Sequence, residues 1–342
     1  MEMNFRELII NTYKDYECWD YYSNSNSIRC LNIEYPNACG EFIHQYFSVS
    51  GKAGCIDEWT DLENILKASP SRCQHIVYTF LLGMGIYSRQ IPIKKIIDEK
   101  IGFYSKKYGF ESHVTFAFVW FLCCLFHDLG YAMESSGSLD WDFHPKELGK
   151  PEGVPSFYRN TIKRYLQYIK REHFQTDHGI YAGVNMYRML CDNRANQEQQ
   201  CDNNSELCWE EALEKIYNIV SWIVMCHNIW LVDNKKKRCV DIYKEYKLDR
   251  LTHDTGEYKI KLKDSPLFFF FCLIDTIEPI KRVVDTSLLE RIHISIEDRQ
   301  ITIHSDLPCG CGDRYMQDVE NIRTWLIKTE KTEGNKIDIK LN

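Results

Sequence analysis

The chain has 342 residues, of which 44% are hydrophobic and 27% charged, with a formal net charge of −7. The apolar fraction is sufficient for a sizeable buried core, in one large domain or two small ones. The negative charge argues against a general nucleic-acid-binding protein or one that binds anionic membranes, although a local site could still hold a small phosphate ligand.

The cysteines and the N-terminal residues indicate in which cellular compartment the protein is expected. The sequence contains 15 cysteines, and several of them, such as Cys123, Cys124 and Cys226, lie in apolar runs where a thiol acts as a small core residue. The first residues, MEMNFRELII, lack the basic-then-apolar pattern of a secretory signal. The longest apolar run is shorter than the roughly 20 residues that span a bilayer. These features predict a reduced, cytoplasmic protein without a membrane span.

Apolar periodicity predicts helices through most of the chain. The N-terminal region is mixed, with amphipathic segments at 5–16 and 57–67, and Ser-Pro-Ser at 69–71 predicts the start of the next helix. Asp177 is predicted to cap the second part of a broken helix. The helices after residue 70 are predicted at 72–87, 92–108, 111–128, 161–190 with a break near 176, 206–231 and 267–274.

Three polar segments separate these helices. Residues 134–160 are irregular and include His144 and Lys146, and a segment of this length is typical of a lid or of disorder. The Asn- and Gln-rich stretch 193–205 predicts an exposed insertion. The basic stretch 234–238 predicts a solvated turn, with phosphate steering as the alternative.

The C-terminal region alternates apolar and polar residues. Residues 294–296 and 301–304 predict a β-hairpin, and 336–341 predict a further strand. The predicted fold class is therefore mainly α, with a helical-bundle core and a small C-terminal β-hairpin appendage. The predicted division is an N-terminal segment packed on the core at 1–70, a metal-binding helical domain at 71–285 and the β-containing appendage at 286–342.

A histidine and an aspartate end the most apolar of these helices. The run before His127 and Asp128 is strongly apolar, and Gly130 predicts the C-terminal stop of the helix. Two polar side chains at the inner end of a core helix are costly to bury unless something binds them. A metal ion is the simplest partner of this kind.

Four more residues recur in similar settings, on apolar helices or at their ends. For a single histidine, a core residue bonded to a backbone carbonyl is the commoner explanation, but the joint pattern favours a metal site. Imidazole and carboxylate groups together suit Zn, Mn, Fe and related ions. The predicted metal ligands are His75, His127, Asp128, His178, His227 and Asp275.

The order His … His-Asp … Asp on helices resembles the HD superfamily of metal-dependent phosphohydrolases, over about residues 70–285. His75, His127, Asp128 and Asp275 match the four defining positions. His178 and His227 match the two extra histidines of members that hold two metals.

The resemblance implies an HD-type helical bundle and two divalent transition-metal ions, Mn, Fe, Zn, Ni or Co, with Mg also compatible. One ion would be held by the four defining residues and the other by His178 and His227, with Asp128 bridging. His127 and Asp128 would be the catalytic residues. Two such ions activate a shared water for attack on phosphorus.

The substrate is expected to be a small phosphate ester, with a nucleotide or cyclic nucleotide as the favoured class. The branch that degrades cyclic-di-GMP has a lysine where this chain has Tyr131 and carries a Gly-Tyr-Pro signature that is absent here, which argues against that substrate. For the cationic candidates near the ligands, an ordinary salt bridge is an equally good explanation. The candidate substrate-binding residues are Arg72, Tyr131, His144, Lys146, Lys281 and Arg282.

Two alternative functions stay open at this point. Some HD proteins use the same six ligands to hold two irons and activate dioxygen, so a diiron oxygenase is the first alternative. A non-catalytic nucleotide sensor is the second, although a pure sensor need not keep all six ligands. No membrane or general nucleic-acid partner is expected, and a homo-oligomer is compatible with the sequence.

Overall fold

Helices make up most of the described chain, and a small sheet joins its two ends. The predicted class, a mainly helical protein with a small β element, is confirmed. The structure is a computed structural model. It describes residues 2–19, 26–47, 70–109, 114–131, 148–172, 177–200, 211–230, 237–252, 257–283, 285–297, 300–327, 329–332 and 335–341.

The described helices differ widely in length, and two short 3-10 segments, Asp249–Thr252 and Thr286–Arg291, connect some of them. The α-helices are α1 (Phe5–Lys14), α2 (Tyr16–Trp19), α3 (Asn26–Arg29), α4 (Pro36–Phe47), α5 (Pro70–Arg89), α6 (Ile91–Tyr108), α7 (Phe116–Phe126), α8 (Tyr158–Glu172), α9 (His178–Gln200), α10 (Leu213–Cys226), α11 (Lys237–Glu245), α12 (Pro266–Ile277) and α13 (Asp313–Trp325). No helix in these described ranges combines the length and apolarity needed to cross a bilayer.

Helix α7 lies at the centre of the core. Every one of its residues is buried, as expected for a helix that is apolar on all sides. Thr115 caps its first turn by accepting a hydrogen bond from the Phe118 N–H at 3.3 Å. The Trp120 ring packs against Phe270 of α12, with centroids 5.1 Å apart, and its indole N–H donates to the Phe80 carbonyl at 3.0 Å.

The N-terminal helices cover one side of this core. The Tyr46 ring in α4 lies 4.6 Å from Phe121 in α7 and 5.5 Å from Phe80 in α5, measured between ring centroids. Its hydroxyl donates to the Trp19 carbonyl at 3.0 Å. These contacts fix α4 against the helices that carry the first candidate ligands.

Helices α9 and α10 approach closely at Gly183. A methyl group added there would lie 2.6 Å from the Ser221 carbonyl oxygen, so only glycine leaves room for the α10 backbone. The Ser221 hydroxyl uses this proximity to donate to the Gly183 carbonyl at 2.7 Å. The crossing places the start of α9 beside the end of α10, where His178 and His227 lie.

The sheet has the strand order β1-β2-β3-β5-β4. Its strands are β1 (Glu2–Asn4), β2 (Ile292–Glu297), β3 (Gln300–Ser305), β4 (Thr329–Thr332) and β5 (Asn335–Leu341). Strands β2 and β3 form the predicted antiparallel hairpin, with Ile294 opposite Ile303, and β5 is the predicted further strand, parallel to β3. The N-terminal strand β1 pairs with β2, so the sheet is not purely C-terminal.

Several predicted boundaries were wrong. The stretch 193–205 was expected to be an insertion, but α9 continues to Gln200, where Arg194 pairs with Glu198 one turn further on. Asp275 lies inside α12 rather than at its end. Lys237 and Arg238 begin α11 instead of continuing a basic turn.

Other predictions have mixed outcomes. Asp177 caps α9 as predicted, because its Oδ1 accepts the Ile180 N–H at 3.0 Å. The helix expected at 57–67 and most of the expected lid, including His144 and Lys146, lie outside the described residues. Of the expected lid, residues 148–157 are irregular and Tyr158 begins α8.

Candidate metal centre

Five helices deliver polar side chains to one buried place. The structure brings together the six residues that the sequence predicted as metal ligands, although they are spread over 200 positions of the chain. They are His75 in α5, His127 and Asp128 in the turn after α7, His178 at the start of α9, His227 directly after α10 and Asp275 in α12.

Four of these residues form a tight cluster. The Nε2 atoms of His75 and His127 are 3.0 Å apart, and Asp275 Oδ1 lies 3.2 and 3.3 Å from them. Asp128 Oδ1 lies 3.4 Å from His127 Nε2. Ligand atoms about 2.1 Å from one ion are about 3.0–3.4 Å from each other, so the spacing of His75, His127 and Asp275 matches a single coordination sphere. Asp128 adjoins them, with its Oδ2 4.0 Å from His75 Nε2.

The Asp275 carboxylate supports the same assignment. Its Oδ1 atom is buried and makes no hydrogen bond of good geometry within the described chain, although two imidazole nitrogens are near. The Lys281 ammonium is 3.7 Å from this oxygen, too far for a hydrogen bond, and a buried acceptor without a hydrogen bond is costly. The donor set of two imidazoles and two carboxylates fits a divalent transition ion, which would bind that oxygen.

His178 and His227 lie beside this cluster. His178 Nε2 is 4.0 Å from Asp128 Oδ1, and the His227 ring meets the rings of His127 and His178 at centroid distances of 5.5 and 5.2 Å. Asp128 thus lies within 4.0 Å of histidines from both groups. These two imidazoles could hold a second ion that shares Asp128.

Backbone carbonyls fix the tautomers of two ligands. His127 Nδ1 lies 2.8 Å from the Cys124 carbonyl, and His227 Nδ1 lies 2.6 Å from the Val224 carbonyl. A carbonyl only accepts, so each Nδ1 must donate its proton. Each Nε2 is then left with a lone pair for a metal, which is the arrangement that ligating histidines usually have.

Glu278 supports the third core histidine, and the sequence prediction missed it. This carboxylate is fully buried, and its Oε2 lies 2.5 Å from His75 Nδ1. Its two oxygens also accept the Ile280 N–H at 3.0 and 3.1 Å. Burial lowers the pKa of His75, but Glu278 and Asp275 outweigh that effect and raise it above its usual value.

Lys281 brings a positive charge to the carboxylates. Its Nζ lies 3.0 and 3.2 Å from the Asp128 oxygens and 3.7 Å from Asp275 Oδ1. Burial raises the pKa of both carboxyls, but Lys281 and the imidazoles outweigh it and hold both pKa values well below the usual range. Both groups are therefore ionised, which is the form that binds metals.

A stack of side chains borders the second pair of histidines. The Tyr131 ring lies on the His178 ring, with centroids 3.8 Å apart and planes at 15°, and the Arg72 guanidinium lies 4.0 Å from the Tyr131 centroid. Lys281, Arg72 and Tyr131, all candidate substrate residues, thus border the predicted ligands.

Arg282 has a structural contact in addition to its predicted role. It donates to the Asp318 carboxylate at 2.8 Å and to the carbonyls of Asp275 and Glu278 at 3.1 and 3.0 Å. These bonds fasten the end of α12 to α13, and substrate binding by Arg282 stays a prediction.

Asn228 is a second polar residue that the sequence prediction missed. Its side chain is 8% exposed, and its Nδ2 lies 3.5 Å from His178 Nε2. Its Oδ1 has no hydrogen-bond partner in the described ranges. Its position directly after His227 was the only signal in the sequence.

Gly130 has a different function from the helix stop that was predicted. Helix α7 already ends at Phe126, and Gly130 is not among the described glycines with positive φ. A methyl group at Gly130 would lie 2.6 Å from the carbonyl carbon of His178 and 2.8 Å from its Cα. The glycine therefore lets the His-Asp turn touch the backbone of α9.

Gly130→Ala should displace the start of α9 and separate His178 from Asp128. We expect a loss of about 1–3 kcal/mol in the free energy of unfolding, as for other overpacked sites, and loss of any metal held by His178. Urea unfolding and metal analysis would measure both. Gly102→Ala is the control, because nothing lies within 4 Å of a methyl at that exposed helix position. Equal stability of the two variants would contradict the close contact.

The metal-free protein should lose stability as the pH falls from 6.5 to 5.5. Burial lowers the pKa of His178 well below 6.5 and also lowers the pKa of His227. In the unfolded chain both imidazoles take up protons in this range, so the unfolded state binds more protons and stability falls with pH. The raised pKa of His75 has its main effect above pH 6.5 and offsets only a minor part of this loss. The lowered pKa values of Asp128 and Asp275 act below the pH range tested.

Each of the two histidines contributes up to about 1.4 kcal/mol per pH unit to the decrease in the free energy of unfolding. Urea unfolding of chelator-treated protein at pH 6.5 and 5.5 would measure this loss, and His178→Gln should reduce it. The exposed His304 provides the control, because His304→Gln should leave the slope unchanged. Constant stability between the two pH values would contradict the buried, neutral state of both histidines.

Comparisons with known proteins found no relative of this chain. The chain matches no protein-family model, no curated protein and no solved structure.

Proposed function

We propose that the chain is an HD-type metal-dependent phosphohydrolase that acts on a small phosphate ester, with a nucleotide as the favoured class of substrate. The proposal depends on one observation. Five buried imidazole and carboxylate groups and the partly exposed His178 converge in the order expected from the HD resemblance. His75, His127 and Asp275 have the 3.0–3.3 Å mutual spacing of one coordination sphere, and Asp128 lies 3.4 Å from His127.

The ligands divide into two groups. His75, His127, Asp128 and Asp275 would hold one divalent ion, and His178 and His227 would hold another, with Asp128 shared. Bound there, such ions supply a water of lowered pKa as the nucleophile and positive charge for the phosphate oxygens. Glu278 orients His75, and the Cys124 and Val224 carbonyls orient His127 and His227 for this task.

Lys281 is placed to act on the substrate itself. Its side chain is 30% exposed while its ammonium faces Asp128 and Asp275, so it lies where the ligand cluster meets solvent. With Asp128 and Asp275 engaged as metal ligands, the Lys281 ammonium would donate to a phosphate oxygen instead. It would then offset negative charge that develops during P–O cleavage.

A reducing, cytoplasmic setting belongs to the same proposal. The twelve described cysteines form no disulfide with one another, and eight of them are buried. Reduced thiols in the core are typical of proteins in a reducing compartment.

The first experiment combines metal analysis with a substrate panel. Protein purified anaerobically would be loaded with Mn²⁺ or Fe²⁺ and offered mono-, di- and cyclic nucleotides. Asp128→Asn is the blank, and Asp306→Asn is the matched control, because Asp306 is exposed directly after strand β3. We expect phosphate-ester cleavage by the wild type and the control, and none by Asp128→Asn.

The other outcomes would overturn the proposal in distinct ways. Oxygen uptake by the Fe²⁺-loaded protein without ester cleavage would indicate the diiron oxygenase. Nucleotide binding without turnover or oxygen uptake would indicate the sensor. A wild-type protein that binds no metal would remove the basis of all metal-dependent functions.

A further inference from the structure

Three planar side chains form a column at the edge of the ligand cluster. Arg72, one turn before His75 in α5, lies over the Tyr131 ring at 4.0 Å, and Tyr131 lies over the His178 ring at 3.8 Å. Both neighbours approach Tyr131 to van der Waals distance, so they must occupy opposite faces of its ring. The guanidinium therefore lies two stacking layers away from His178.

This separation decides which part of a ligand Arg72 can reach. His178 Nε2 faces the other predicted ligands, 4.0 Å from Asp128 Oδ1. The Tyr131 ring stands between the His178 imidazole and the Arg72 guanidinium. A phosphate held at the predicted ligands would therefore lie near His178 and Asp128, while Arg72 would face a position farther along the substrate.

The guanidinium has unused donor capacity. Its NH1 atom is buried yet has no hydrogen-bond partner among the described residues. A buried N–H of a charged group without an acceptor is costly. Contact with the Tyr131 ring limits the motion of the guanidinium, and a guanidinium can bind phosphate with two parallel hydrogen bonds.

We infer that Arg72 binds a second phosphate group of the substrate, distinct from the one held at the metal ligands. The inference rests on the proposed phosphohydrolase function and narrows its substrate. Esters with two phosphate groups, such as nucleoside diphosphates and related compounds, fit both positions. An ester with a single phosphate would leave Arg72 without its partner.

Two non-hydrolysable probes separate the two phosphate positions. Methylphosphonate carries one anionic group, and methylenediphosphonate carries two. Their affinities would be measured by calorimetry on Mn²⁺-loaded protein with excess Mn²⁺ present. The proteins are the wild type, Arg72→Met, Arg72→Lys and the control Arg314→Met, whose arginine is exposed in α13.

We expect the wild type and Arg314→Met to bind methylenediphosphonate at least about 10-fold more tightly than methylphosphonate. Arg72→Met should weaken the binding of methylenediphosphonate by about 10- to 100-fold, the range expected for a lost hydrogen bond to a charged group. Its affinity for methylphosphonate should stay within about twofold. Arg72→Lys keeps the charge but loses the planar fork, so it should give an intermediate loss.

Failure of the second phosphate position and failure of the proposed function give different results. If Arg72→Met and Arg72→Lys bind both probes as the wild type does, or weaken both equally, the second phosphate position is wrong while the metal site stands. If the wild type takes up no Mn²⁺, the proposed function fails and this inference fails with it.

Discussion

Asp128→Asn is expected to abolish metal binding and phosphate-ester cleavage together while leaving the protein folded. Asp128 is 1% exposed, and its Oδ1 lies 3.4 Å from His127 Nε2 and 4.0 Å from His178 Nε2. It lies within 4.0 Å of histidines from both predicted groups of ligands. Asparagine keeps the shape of the side chain but removes the negative charge that the two ions would share.

The expected loss of metal affinity is large. Residues that only support a metal ligand typically cost about 10- to 100-fold in affinity, and a ligand shared by both ions should cost more. Metal content after dialysis and chelator competition would measure the affinity, and circular dichroism would confirm the fold. Asp306→Asn, at an exposed carboxylate directly after strand β3, should retain full metal content. An Asp128→Asn protein with full metal content would refute the assignment of the site.

The ligands were predictable because their local sequence conflicts with their polarity. His127 and Asp128 end a run of eleven buried residues, and Asp275 follows an equally apolar run in α12. A polar group in such a setting needs a partner wherever the helix is placed. The sequence could therefore identify these residues before any contact between them was known.

The supporting residues were not predictable in this way. Glu278 and His75 are 203 positions apart, and no local pattern shows that they touch. Asn228 stands beside an assigned ligand and has no signal of its own. The contact of Gly130 with the α9 backbone likewise depends on how two helices meet, so the sequence suggested the commoner role of a helix stop.

In the fold, too, the elements with a local sequence signal were predictable and those that depend on distant contacts were not. Long apolar helices were predicted because their periodicity is local, whereas β1 has only three residues and pairs with β2, nearly 300 positions away. Helix α13 is a different case. Its buried residues Tyr315, Val319, Ile322 and Trp325 recur at helical spacing, so the pattern was present in the sequence and was overlooked.

Glu278→Gln should weaken metal binding without unfolding the protein. The Glu278 carboxylate is fully buried against His75 Nδ1, and its charge strengthens the lone pair that His75 Nε2 would offer to a metal. Glutamine retains one acceptor oxygen but removes that charge. We expect a loss of about 10- to 100-fold in metal affinity, measured by competition with a fluorescent chelator.

Glu278→Ala should have a second effect, on stability. It leaves the His75 Nδ1 proton and the Ile280 N–H without an acceptor in a fully buried site. Each unsatisfied donor costs about 1–3 kcal/mol, so urea unfolding of the metal-free variant should show a loss of at least this size. Glu320→Gln, an exposed position in α13, is the control for both measurements.

The two Glu278 variants together separate support of the metal from packing. If Glu278 positions His75, Glu278→Gln lowers metal affinity at nearly unchanged stability, whereas Glu278→Ala lowers both. If Glu278 only fills space, Glu278→Gln keeps the metal affinity of the wild type, and the role assigned to this carboxylate is wrong. Because His75 belongs to the tightest part of the ligand cluster, this comparison tests whether the geometry around it is built for an ion.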